Sequence, residues 1–397
     1  MAGKPVMLNT ALSPWPSFTQ EEADAVSRVL LSNKVNYWTG SECREFEKEF
    51  AAFAGTQYAV AVANGTLALD VALKAIGIGA GDDVIVTSRT FLASASCIVT
   101  AGANPVFADV DLNSQNISAE TIKAALTPNT KAVIVVHLAG MPAEMDGIMD
   151  LAKEHDLWVI EDCAQAHGAK YKGKSVGSIG HVGAWSFCQD KIMTTGGEGG
   201  MVTTNDKELW RKMWSYKDHG KSYDAVYHRE HAPGFRWLHE SFGTNWRMME
   251  MQAVIGRIQL KRMPEWTARR QAHAAKLAES LGKFKSIRLV EVADYIEHAQ
   301  YKFYAFVKPE HLKEGWTRDR IVNELNARKV PCYQGSCSEV YLEKAFDNTP
   351  WRPKERLKNA VELGDTSLMF LGHPTLTDDE IAFCKEHIEA VLAQATA

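Results

Sequence analysis

The sequence predicts an α/β protein. A three-layer large domain with a mostly parallel seven-stranded sheet is followed by a smaller α+β C-terminal domain. Three observations carry this. From about residue 57, β-branched apolar runs alternate with stretches of helical spacing. Several runs are apolar throughout, as expected of strands covered on both faces. Near residue 207 the alternation stops and a more irregular mixture begins.

Taken in order, a helix is expected over 20–31, leading into a polar and aromatic stretch at 32–42. Strands are expected at 58–63, 83–87, 105–109, 131–137, 157–162, 182–187 and 201–204. Between them, 66–75, 91–101, 119–126 and 143–154 carry helical spacing and good helix formers, and Ser118 stands as an N-cap. Past 207, helices are expected at 208–217, 248–262 and 265–281, with an aromatic, His-rich segment at 218–242. Strands at 287–292 and 302–307 and helices at 317–328 and 378–393 complete the chain. The division falls as 1–250 for the amino-terminal segment and large domain and 251–397 for the small one, with the helix near 265–281 bridging them.

Composition narrows the function classes. The 397 residues are 46% hydrophobic and 23% charged, the balance of a globular protein. A net charge of −5, with no Lys/Arg block, argues against nucleic acid as a partner. No apolar run has the length to span a bilayer, and residues 1–8 lack the apolar stretch of a secretory signal. A cytoplasmic location is the expectation. Seven scattered cysteines suit reduced thiols better than a disulfide framework. Cys332 and Cys337 have no matching His/Cys pair after them, so no metal site is expected.

Three features fall at the ends of expected strands, where open α/β sheets place ligands. Asn64-Gly65-Thr66 follows a strand and opens a helix, where N–H groups and a hydroxyl can face an anion. Alone, it is more commonly a tight turn. Asp162 ends an apolar strand; a carboxylate buried there needs a cation or strong donors, or it caps the next turn. Lys191 lies between Ser186 and the glycine-rich turn Gly196-Gly197-Glu198-Gly199-Gly200. It is either a solvated loop lysine or, in a dry pocket, an amine able to form a Schiff base. An anion cradle, a buried acid and a pocket lysine are together what pyridoxal 5′-phosphate requires.

On these residues the chain resembles the sugar aminotransferases of the DegT/StrS type, within the aspartate-aminotransferase-like class (fold type I). The match runs from Asn36-Tyr37-Trp38-Thr39-Gly40 to His373-Pro374. The resemblance implies that Lys191 carries the cofactor aldehyde and that Asp162 pairs with its pyridine nitrogen. Gln165 would hydrogen-bond the ring hydroxyl, Phe91 would stack on the ring, and Gly65, Thr66 and Ser186 would hold the phosphate. Asn245 matches a residue that reaches the phosphate across a homodimer interface. His167 and Arg247 would line the site.

Relatives that act as dehydratases carry histidine at the lysine position, so Lys191 implies transamination, with L-glutamate as donor and a keto or aldehyde sugar as acceptor. The segment 190–198 and the aromatic loop look closest to a subgroup that makes 8-amino-3,8-dideoxy-manno-octulosonate for lipopolysaccharide. Lys217, His219, Lys221, His228, Arg229, His231 and Arg236 would suit that substrate's carboxylate, or they form a solvated basic loop. The alternatives are a nucleotide-linked 4-keto-6-deoxyhexose as acceptor, a lyase sharing Lys191 and Asp162, and a non-catalytic regulator.

Overall fold

A computed structural model describes residues 12–397. Residues 1–8, expected to lack a secretory signal, lie outside the described residues. Seven strands form the central sheet: β1 (Tyr58–Val62), β2 (Asp83–Thr87), β3 (Asn104–Ala108), β4 (Thr130–Val136), β5 (Trp158–Asp162), β6 (Val182–Ser186) and β7 (Gly200–Thr204). Their spatial order is β1-β7-β6-β5-β4-β2-β3. β2 runs parallel to β3 and β4, β4 to β5, and β5 to β6. β7 alone runs antiparallel to its neighbours, β1 and β6.

The apolar runs follow from this placement. Val84, Val86, Ile134 and Ile160 enter the core on one face, with Leu69 and Leu73 of the helix Gly65–Ala75. Ile85, Val133, Val135 and Val159 enter the core on the other, with Ile148 and Leu151 of the helix Met145–Glu154. Successive side chains point to opposite faces, so a sheet covered twice demands apolar residues at every position. All seven expected strands are present within two residues of their expected bounds.

The expected pair of helices at 248–262 and 265–281 is a single 32-residue helix, Glu250–Leu281, with Pro264 inside it. Proline removes a backbone donor and costs a helix interior about 3 kcal/mol. Its neighbours Met263 and Trp266 are buried in a core shared with Phe46, Phe50 and Trp185, and that packing offsets the cost. Further along, Ala274, Leu277 and Leu281 of the same helix enter a separate core.

That last core lies under a four-stranded antiparallel sheet: β8 (Ile287–Leu289), β9 (Phe303–Val307), β10 (Cys332–Tyr333) and β11 (Ser367–Phe370), ordered β8-β9-β11-β10. The helices Arg318–Ala327 and Asp378–Ala395 supply Ile321, Leu325, Ile388 and Leu392 to it. β10 and β11 are too short to show a period in sequence. Among the described residues no helix is long and apolar enough to cross a membrane.

Candidate active site

The carboxyl ends of β4, β5 and β6 and the turn after β1 enclose a cavity of about 530 Å³. Thr66, Phe91, Asp162, Gln165, Ser186 and Lys191 line it, although more than a hundred residues separate the first from the last.

The turn after β1 is built by Asn64. Its side-chain oxygen accepts the N–H of Leu67 at 3.0 Å and caps the helix Gly65–Ala75, whose first turn opens on the cavity. A Cβ on Gly65 would lie 2.5 Å from Ser186 Cβ, and one on Gly200 would lie 2.2 Å from the Asn64 carbonyl oxygen. The glycines therefore let the turn after β1 touch the end of β6. Helix N–H groups and the hydroxyls of Thr66 and Ser186 gather there, a cradle that fits a phosphate.

Asp162 closes β5 and is buried. Ser94 donates to its Oδ2 at 2.8 Å and the Ala164 N–H to its Oδ1 at 3.1 Å. Burial raises its pKa; these two donors and the charges of Lys191 and His137 pull it back. Among the described residues no cation forms a salt bridge with the carboxyl, so it suits the proton of a heterocyclic nitrogen. Beside it, Gln165 Oε1 accepts the Ala139 N–H at 2.8 Å. That bond fixes the amide orientation, because only the oxygen can face an N–H. The NH₂ group is left to donate to an oxygen in the cavity. Phe91, 71% exposed, stands at the cavity mouth.

Lys191 is held by its backbone rather than by its amine. The Trp15 indole N–H donates to the Lys191 carbonyl at 2.8 Å. The following residues, Ile192 and Met193, are fully buried, and Thr194 N–H donates to Gln259 Oε1 at 2.9 Å. The turn closes through Gly196 and Gly197 at φ 85° and 123°, values that favour glycine. The amine lies 3.8 Å from Asp190 Oδ1 and 5.5 Å from the Tyr301 ring centroid, with the side chain 17% exposed. Amine, acid and cradle thus meet in one cavity, and these residues fit pyridoxal 5′-phosphate.

Other expected contacts lie elsewhere. His167 does not line the cavity. Its side chain turns into the core, with ring centroids 5.2 Å from Trp185 and 5.6 Å from Phe187. Among the described residues neither ring nitrogen has a hydrogen-bond partner of good geometry, and burial, helped by the charges of Lys191 and Arg270, lowers its pKa to about 3. Lys217 is not a solvated loop residue either. It is fully buried, its amine 3.4 Å from the Tyr37 ring centroid and 3.7 Å from Glu47 Oε1. Arg247 donates to Asp218 at 2.8 Å, and Lys221 to the same oxygen at 2.9 Å. His228 pairs with Asp224, and Arg229 with Glu240. His219, Arg236 and Asn245 are exposed and lie outside the cavity lining of this chain, and His231 is tied to the Ala225 carbonyl.

Several site residues carried no sequence signal. Ser94 sits in the first turn of the helix Ala93–Thr100, Trp15 lies far ahead of the sheet in sequence, and Tyr301 and Lys302 directly precede β9; only folding places them here. Among the described residues His137, Glu161 and Cys163 are grouped as metal ligands could be. The donors and acceptors of the first two are engaged. Glu161 accepts His137 Nε2–H at 2.9 Å and the N–H groups of Gly177, Ile179 and Gly180 at 2.6–2.8 Å. His137 Nδ1 accepts the Ala143 N–H at 3.0 Å.

Comparison with known proteins agrees with this geometry. The family model described as "DegT/DnrJ/EryC1/StrS aminotransferase family" matches residues 16–389. The solved structure of an aminotransferase from Psychrobacter cryohalolentis is 65% identical, with a TM-score of 0.95 over 96% of this chain and 99% of that one. The spore coat polysaccharide biosynthesis protein SpsC of Bacillus subtilis is 36% identical over 95% of both chains. The GDP-perosamine synthase of Escherichia coli O157:H7 is 33% identical over 94% of this chain and 96% of its own length.

Proposed function

We propose that this chain, which belongs to the DegT/DnrJ/EryC1/StrS aminotransferase family, moves an amino group from L-glutamate to the carbonyl carbon of a nucleotide-linked keto sugar. It is a pyridoxal-phosphate-dependent aminotransferase of fold type I. The observation that carries the reading is the convergence of Lys191, Asp162 and the Gly65–Ser186 cradle on one cavity.

When bound, pyridoxal 5′-phosphate supplies an aldehyde for amine exchange and a ring that stores an electron pair. The residues of the chain do the rest. Gly65, Thr66 and Ser186 anchor the phosphate with N–H and hydroxyl donors. Asp162 holds a proton on the ring nitrogen, in a site where burial strengthens each charge interaction. Gln165 donates its NH₂ to the ring hydroxyl. Lys191 Nζ would take the proton from the substrate carbon that bears nitrogen and return it to the cofactor carbon on the other side of that nitrogen. Histidine at this position would favour loss of water instead; lysine favours transfer of nitrogen.

The acceptor is chosen on two grounds. The octulosonate reading relied on a free basic loop to meet a carboxylate. Lys217, Lys221 and Arg229 of that loop are instead engaged with Glu47, Asp218 and Glu240. Relatives are named as GDP-perosamine synthase and as a dTDP-3-amino-3,4,6-trideoxy-α-D-glucose transaminase, which supports a nucleotide-linked hexose. The test is a panel of nucleotide-linked keto hexoses and the aldehyde octulosonate, each incubated with holoenzyme and L-glutamate, with products identified by mass spectrometry. Amination of a nucleotide-linked hexose is expected. Amination of the octulosonate alone would overturn the choice of acceptor.

A further inference from the structure

The cleft continues past Lys191. A second cavity of about 630 Å³ lies between the lysine turn and the small sheet, lined by Lys191, Asp190, Tyr301, Lys302 and Tyr333 among others. A third, of about 520 Å³, is lined by Trp15, Lys329 and His373. Asp190 and Lys302 stand in the wall common to both.

Tyr301 organises this wall. Its hydroxyl donates to Asp190 Oδ2 at 2.5 Å. The amines of Lys191 and Lys302 lie 5.5 and 4.7 Å from its ring centroid. Arg270 stands behind, fully buried. Its Nη1 donates to the Tyr301 carbonyl at 3.4 Å, while among the described residues Nε and Nη2 have no hydrogen-bond partner. Its guanidinium lies 5.0 Å from the Trp15 ring centroid. Burial lowers the pKa of Arg270 to about 9 and that of Lys302 to about 8. His373 stays neutral, pushed down to about 3 by burial and by these cations.

The charges do not balance. Asp190 faces Lys191 and Lys302 and is already engaged by Tyr301, and Lys191 also faces Asp162, whereas among the described residues the buried Arg270 forms no salt bridge. Among the described residues the Lys302 amine forms no salt bridge. A buried cation without a counter-charge is costly, and an arriving anion relieves the cost. The anion must reach the wall beside Lys191, where the amino donor delivers its nitrogen. An amino acid carries a carboxylate on the same carbon as that nitrogen; an uncharged keto sugar offers none there.

We propose that Lys302, with Arg270 behind it, forms the carboxylate-recognition subsite for the amino-acid donor. This deepens the aminotransfer reading above and rests on it. Lys302 supplies the charged hydrogen bonds, and Arg270 acts through it as a positioning residue that raises the local positive potential.

The test uses glutarate, a dicarboxylate without an amino group, titrated into the holoenzyme by calorimetry, with uridine diphosphate in a parallel titration. Lys302→Met is expected to weaken glutarate about tenfold or more and to leave uridine diphosphate within about twofold. Lys302→Arg is expected to restore glutarate binding. Variants are used only if cofactor content and thermal midpoint match the parent, with Lys302→Gln as the replacement if Lys302→Met fails this. Three results would overturn the proposal: unchanged glutarate affinity in the variant, equal weakening of both ligands, or no glutarate binding by the parent protein at about 10 mM. Glutarate cannot be transaminated, so the outcome is independent of which sugar, or whether any sugar, is aminated.

Discussion

Gly65 touches Ser186 so closely that a single carbon added to the glycine would lie 2.5 Å from the serine Cβ. The contact joins the turn after β1 to the end of β6 and sets the width of the phosphate cradle. Gly65→Ala must displace one of the two by about an ångström. Cofactor affinity is then expected to fall roughly tenfold to a hundredfold, measured by titrating apoprotein with pyridoxal 5′-phosphate. An unchanged dissociation constant would show that the cradle does not depend on this contact.

Lys191→Ala removes the only amine that lines the cofactor cavity among the described residues, while the turn stays pinned through backbone atoms by Trp15 and Gln259. Turnover is expected to vanish, with the circular dichroism spectrum and thermal midpoint retained. Persistent turnover would assign the proton transfer to another group.

Asp162→Asn keeps the shape of the side chain and removes its charge. Ser94 and the Ala164 N–H are still within reach, so cofactor should stay bound. Proton abstraction is expected to slow by at least about a hundredfold, because the ring nitrogen loses its counter-charge. Single-turnover absorbance with L-glutamate reads this step directly, and a parent-like rate would place the counter-charge elsewhere.

Acid stability depends on His167. Its folded pKa, about 3, lies below the unfolded value near 6.5. The unfolded chain therefore binds the extra proton between those values. The stability that comes from keeping this ring neutral is complete above about pH 6.5 and is lost as pH falls toward 3. Between pH 6.5 and 4 the loss is on the order of 3 kcal/mol. His167→Phe fits the same aromatic surroundings and is expected to flatten the fall of the thermal midpoint between pH 7 and 4. Parallel curves for parent and variant would contradict this.

The amino-acid order showed the sheet and the cofactor residues for one physical reason. Strands covered on both faces must be apolar at every position, so Ile85, Ile134 and Ile160 stand out, and polar residues at their carboxyl ends stand out beside them. Asp162, Ser186 and Lys191 were legible because each interrupts or follows such a run. Lys217 and His167 were misplaced because a charge or imidazole within a polar or turn-like stretch gives no hint that aromatic rings will enclose it. The break expected at Pro264 failed because Met263 and Trp266 contribute packing that no local propensity contains. Tyr301 and Lys302 escaped notice because their meaning lies in Asp190 and Lys191, more than a hundred positions away.

The bond from Trp15 to the carbonyl of Lys191 has a consequence for the order in which the molecule is made. Trp15 also packs edge-on against Trp266, with ring centroids 5.0 Å apart, and stacks on His373 at 6.1 Å. During synthesis Trp15 emerges before Lys191, and Trp266 and His373 emerge after it. Trp15 is thus made before the lysine it holds, and the two rings that hold Trp15 are made after it. A chain ending near residue 250 therefore contains all seven strands of the large sheet and Asp162 but lacks Trp266 and His373, so Trp15 has neither ring to pack against.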